Sequence, residues 1–141
     1  MTWVRHSTEM RTDLVAGLAG AAGGALVAGL SRRALGPRFE RISAVSLVPV
    51  ALIYPLARAS LEDRPAVTRE LIGVAAMTAV ALAARGERGR RIAAAGWLAH
   101  AAFDLMHDRG DDSLLPDWYP AACAGYDAAY AAVIVTQRTD A

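Results

Sequence analysis

Lysine is absent from this chain, and all 15 of its basic residues are arginine. Cysteine occurs once, at Cys123, which excludes an intramolecular disulfide and a zinc site built from several thiolates. Aromatic residues supply only 6% of the sequence. The formal net charge is +1, so the overall charge offers no case for a nucleic-acid partner. No glycine-rich loop follows a strand pattern, which removes a nucleotide-binding turn. No serine, histidine and aspartate stand in the local context of a hydrolase triad. The apolar run from Leu14 to Leu30 ends in Ser31-Arg32-Arg33, without a small-x-small cleavage site, and so reads as a retained helix.

What is present is apolar and unevenly charged. The 141 residues suffice for one domain, 55% of them are hydrophobic, and mean hydropathy is +0.27. The abundance of Ala, Gly and Arg fits a GC-rich bacterial genome. Arginines fall in clusters separated by nearly uncharged stretches, as in a multi-pass membrane protein. Anionic lipid headgroups are the natural partners of such clusters. The pattern predicts an all-α integral membrane bundle of about five transmembrane helices, over residues 14–30, 42–59, 67–84, 92–107 and 118–135. None of these has the wide polar face of a helix in a soluble bundle.

Each segment carries its own marks. Residues 1–13 are a polar lead-in, with His6 read as exposed. In the first helix Ala16, Gly20, Gly24 and Ala28 recur every four positions, and Gly17, Ala21, Ala25 and Gly29 do so on the adjoining face. Such stripes allow close helix approach in lipid and offer a surface for a homodimer. Pro49 and Pro55 lie inside the second helix, where a bundle can satisfy the freed carbonyls. Arg69 and Glu70 shorten the apolar part of the third and read as interfacial charges. Trp118 and Tyr119 suit an interfacial aromatic belt, and Pro120 sits harmlessly in a first turn.

Arg32, Arg33, Arg38 and Arg41 follow the first helix, and Arg85, Arg88, Arg90 and Arg91 follow the third. With five spans both groups share one side with the C-terminus, and the positive-inside rule makes that side cytoplasmic in a bacterial inner membrane. The N-terminus and the loop from Asp108 to Asp117 then face outward.

The candidate chemistry lies in the last hairpin. His100, Asp104 and His107 occupy a narrow wedge of one helix face. Asp127 lies in the next helix, and counting back from the shared loop puts His100 about 12 Å deep and Asp127 about 15 Å deep. Antiparallel helices joined by a short loop are neighbours, so these four residues converge on a pocket between the fourth and fifth helices. Intramembrane ionisable residues are candidate functional sites by default.

Three readings remain open for them. His100, Asp104, His107 and Asp127 offer a ligand set that suits a divalent Zn, Mn or Fe ion. Without a metal, the carboxyls and imidazoles serve as general acid and base. A structural hydrogen-bonded pair is the third reading, and for His107 and Asp108 a solvated interface is the simplest one. Tyr126, Tyr130, Trp97 and Cys123 supply a candidate substrate wall. Trp97 and Phe103 are most simply packing or lipid-facing residues, and Cys123 a small buried one.

The run Trp97-Leu-Ala-His100-Ala-Ala-Phe-Asp104-Leu-Met-His107, followed by Trp118-Tyr-Pro-Ala-Ala-Cys123-Ala-Gly-Tyr126-Asp127, resembles a family of small, uncharacterised bacterial multi-pass membrane proteins. The resemblance covers about the last third of the chain. It implies a membrane bundle centred on the polar hairpin, and it carries no activity. We favour an enzyme acting on a lipophilic small molecule by ring opening, cyclisation or hydrolysis, with Asp104 and Asp127 as the acid–base or ligand pair. The alternatives are a proton- or metal-ion-coupled transporter or channel, and an accessory membrane subunit.

Overall fold

The computed structural model describes residues 2–107 and 112–136, with side chains from Thr8 onward except Glu87. The side chain of His6, residues 108–111 of the loop between the last two helices and the tail beyond Thr136 lie outside the described residues. The helices are α1 (Thr2–Leu35), α2 (Phe39–Ala51), α3 (Ile53–Leu56), α4 (Arg64–Ala83), α5 (Gly89–Met106) and α6 (Tyr119–Val135). There is no strand among the described residues. One isolated bridge pairs Arg58 with Ser113.

The polar lead-in is not separate from the first apolar run, because both belong to the 34-residue α1. The second segment is divided: Pro49 is carried inside α2, and the chain breaks at Leu52 before the short α3, which holds Pro55 and Tyr54. Asp63 caps α4 by accepting from the Ala66 amide, with Pro65 in the first turn.

Two short 3-10 turns reverse the chain at one end, Gly36–Arg38 and Gly86–Arg88. Each starts on a left-handed glycine, with φ of 52° at Gly36 and 64° at Gly86. Both arginine-rich segments therefore gather at the same end. At the other end residues 57–59 are stitched to 112–114, by Ala59 N–H to the Asp112 carbonyl and Leu114 N–H to the Ala57 carbonyl, both 2.8 Å.

Contacts fix the directions. Gly17, Gly20 and Gly24 of α1 meet Ala121, Ala122 and Tyr126 of α6 in the same order, so these helices run parallel. A Cβ on Gly20 or Gly24 would collide with the α6 backbone, and one on Gly125 with the Gly17 carbonyl. The small-residue stripe is thus used within the chain, against α6. Gly29, on the adjoining stripe, has nothing within 4 Å of its would-be Cβ. On the far side of α6, Trp97 and His100 of α5 meet Tyr130 and Asp127, which makes α5 antiparallel to α6. Helix α4 is antiparallel to α5 through Glu70–His107 and Gly73–Phe103, and α2 packs against both α4 and α5.

The core fills the arginine-side half. Trp97 stacks on Tyr130 at 4.3 Å between centroids, Tyr130 stacks on Phe39 at 5.9 Å, and the Trp97 indole donates to the Ser43 carbonyl at 3.0 Å. Around this small core the large apolar side chains point outward. Leu18, Leu26, Ile72, Leu82, Leu98 and Leu105 are all more than half exposed. Residues 8–56 and 64–83 are long and apolar enough to cross a membrane, and only 11% and 22% of their most apolar windows are buried. These two stretches take in the expected spans 14–30, most of 42–59 and most of 67–84, while α5, with 18 residues, and α6, with 17, are not singled out by length and hydropathy.

Candidate functional site

His100, Asp104 and Asp127 meet inside the bundle. An interval of four residues puts His100 and Asp104 on one face of α5. The antiparallel α6 brings Asp127 to the same level. His100 Nδ1 donates to Asp127 Oδ2 at 2.7 Å and lies 3.5 Å from Asp104 Oδ2. All three residues are buried, with 3%, 1% and 1% of their surface exposed. Neither oxygen of Asp104 has a hydrogen-bond partner among the described residues, and neither has His100 Nε2. The Tyr54 hydroxyl faces Asp104 closely enough to interact with it, although the two fall short of hydrogen-bond geometry. Such groups are costly to bury.

His107 does not join this cluster. Its Nε2 donates to Glu70 Oε1 at 2.9 Å, and Glu70 also accepts from Arg58 Nε at 2.7 Å and Nη2 at 2.8 Å. The side chains of Arg58, Glu70 and His107 are at most 2% exposed. The interfacial reading of Glu70 and the solvated reading of His107 are both corrected by this network, which ties the N-terminal part of α4 to the C-terminal end of α5. The His107 ring stacks on Phe103 and meets the edge of Tyr54, each at 4.8 Å.

A cavity of about 420 Å³ lies beside both clusters, walled by Glu70, Gly73 and Met77 of α4 and by His100, Phe103 and His107 of α5. It sits on the α4 side of α5, whereas the sequence suggested a pocket between α5 and α6. The reason is packing. Gly125 and Ala122 bring α6 tightly against α1, and α6 packs along α5, while Gly73, Ala76 and Ala99 line the space between α4 and α5. Most of the lining is apolar.

The candidate substrate wall lies elsewhere. Trp97 and Tyr130 belong to the aromatic core, with Tyr126 packed at its edge. Cys123 is half-buried one turn before Asp127 and does not line the cavity. Phe103 does line it. Nothing in the sequence pointed to Arg58 or Tyr54, and Glu70 read only as an interfacial charge. The legible signal was the spacing of Glu70, Gly73 and Met77, which share one face of α4.

His100 is therefore held by Asp127 through one ring nitrogen, carries a second nitrogen without a partner, and forms part of an apolar cavity wall. Such an arrangement fixes the ring and leaves Nε2 for a proton or a ligand. No family model, curated protein or solved structure matches the chain, so the chemistry of the site carries the functional reading.

Proposed function

We propose that this protein is a multi-pass bacterial inner-membrane enzyme that acts on a lipophilic small molecule, with His100, Asp104 and Asp127 as its reactive centre. The observation that carries this reading is the Asp127-oriented His100 in the wall of an apolar cavity. Exposed leucines along the helices suit lipid, and both arginine-rich turns lie at one end, which suits a cytoplasmic face there. Five passes, with the N-terminus outside, agree with the alternating helix directions.

The cavity is bordered by Ile72 and Met106, which are 62% and 82% exposed. A substrate dissolved in the bilayer would enter between α4 and α5 without crossing water. His100 would then exchange a proton with it through Nε2, while Asp127 keeps the ring oriented. Epoxide opening, polyene cyclisation and hydrolysis all suit such a group. A through-path for ions is less well supported, because Phe39, Trp97 and Tyr130 fill the bundle on the arginine side of His100.

The test is turnover of lipophilic epoxides and polyenes by the purified protein in lipid vesicles. His100→Gln should lower the rate about 10²–10⁴-fold while the helical content and elution profile stay unchanged. Proton or metal-ion flux across the same vesicles, abolished by that variant and unaccompanied by any turnover, would replace the enzyme with a transporter.

A further inference from the structure

The cluster of His100, Asp104 and Asp127 raises a question of charge. Two carboxylates and one imidazole, all buried, carry a net negative charge that the imidazole, even when protonated, offsets only in part. The nearby Arg58 is committed to Glu70 in the other network. A net charge buried in an apolar bundle costs several kcal/mol per ion in order of magnitude. Asp104 makes the demand specific, since it is 1% exposed and both its oxygens lack a hydrogen bond.

We propose that His100, Asp104 and Asp127 bind one divalent transition-metal ion, which deepens the reading of this cluster as the reactive centre and rests on it for any catalytic role. One ligand atom from each residue lies within 4.8 Å of the other two. Tetrahedral bonds of about 2.0–2.2 Å place neighbouring ligand atoms roughly 3.3–3.6 Å apart. His100 Nδ1 and Asp104 Oδ2 are already 3.5 Å apart. His100 Nδ1 and Asp127 Oδ2, at 2.7 Å, need to separate by less than about 1 Å. That is within reach of a side-chain rotation at Asp127.

The donor set selects the metal. One imidazole nitrogen with two carboxylates suits Zn²⁺, Mn²⁺ or Fe²⁺, and argues against Mg²⁺ or Ca²⁺, which prefer all-oxygen shells. Two carboxylates and a neutral imidazole are balanced by a divalent ion without further protons. Three protein ligands leave a coordination position open, as metal sites that carry a water or substrate do. The ligands come from two packed helices, so the site is rigid before binding. The Tyr54 hydroxyl, close to Asp104 but outside hydrogen-bond geometry, would be free to support that ligand once the carboxylate turns to a metal.

The test uses the full chain, purified in detergent without a metal-affinity column and stripped by a chelator. It is then titrated with Zn²⁺, and bound metal is counted by mass spectrometry. Wild type should hold close to one Zn²⁺ per chain, undisturbed by a large excess of Mg²⁺. Asp104→Asn and Asp127→Asn should each weaken binding by more than the roughly 10–100-fold expected for loss of an outer partner. Cys123→Ser should bind as wild type does. Pulsed EPR of Mn²⁺ on the unmodified protein should show coupling to one imidazole nitrogen, a readout that needs no variant. Folded wild type that retains no Zn²⁺, equal retention by the Asp variants, or Mn²⁺ without nitrogen coupling overturns the proposal. Turnover by metal-stripped protein that also retains no Zn²⁺ when titrated would reject the metal and keep the enzyme. Stoichiometric Zn²⁺ without turnover on any lipophilic substrate would keep the metal site and reject the enzyme.

Discussion

Glu70 and Asp104 are both buried carboxylates, at 3% and 1% exposure, in adjacent helices of one small bundle. Glu70 accepts three hydrogen bonds, two from Arg58 and one from His107. Asp104 accepts none from the described residues. Glu70 and Arg58 cancel in charge, whereas Asp104 and Asp127 add. A buried carboxylate with both oxygens engaged by donors from neighbouring segments is what a bundle uses to lock its helices together. A carboxylate buried without partners is a standing energetic cost, and such costs collect where function demands them. The outer cluster therefore reads as structure and the inner one as chemistry.

Removing Glu70 is the strongest way to break this comparison. Glu70→Ala takes away both acceptor oxygens of the Arg58 fork and the acceptor of His107, and should lower stability by about 3–5 kcal/mol. The measurement is reversible unfolding in mixed micelles. A loss well under 1 kcal/mol would mean that Arg58 and His107 are satisfied equally well without Glu70, and the outer cluster would lose its structural reading.

A second change reaches the inner cluster without touching its side chains. Gly24→Leu places a side chain where the α6 backbone runs, at Tyr126, and the adjoining Asp127 must move with it. Overpacking of this kind costs about 1–3 kcal/mol. Because α6 carries Asp127 but nothing of the Arg58–Glu70–His107 network, turnover should fall while the outer cluster keeps its geometry. The Asp127–His100 hydrogen bond can be followed by the imidazole nitrogen shifts in NMR. Unchanged shifts in a destabilised Gly24→Leu protein would show that α1 does not position Asp127.

Much of this was legible in the sequence, and the reasons for what was not are physical. The spacing His100-x3-Asp104 and the short connection to α6 were enough to place His100, Asp104 and Asp127 together, because helical period and an antiparallel hairpin constrain three residues strongly. His107 has the right period, yet it belongs to the other cluster. At the last turn of α5 its partner is chosen by α4, whose distance in the chain leaves no local signal. Glu70 was hidden for the same reason: its partner Arg58 lies beyond Pro55, in a segment whose path depends on the break at Leu52. The glycine stripe announced a close helix contact and said nothing of which helix. It proved to be α6, the last in the chain. The cavity was missed because space between helices arises from two faces at once, here Gly73 and Ala76 against Ala99, and periodicity reports one face at a time.

The smallest expected effect is the most informative. Asp104→Asn and Glu70→Gln are the same chemical change at two buried carboxylates, one oxygen exchanged for an amide nitrogen. At Glu70 the change sets an N–H₂ against donors, so the Arg58 fork is lost and stability falls. At Asp104 no hydrogen bond is broken, one buried negative charge disappears, and the new amide can donate to the remaining carboxylate of Asp127. In metal-stripped protein stability should then change by less than about 1 kcal/mol, and a small gain fits the relief of an uncompensated charge. Turnover should be lost all the same. Unfolding of both variants in the same micelles, read beside their rates, separates a residue kept for the fold from one kept in spite of it. Equal destabilisation by the two changes would place Asp104 in a structural network and remove the ground for treating the inner cluster as a reactive centre.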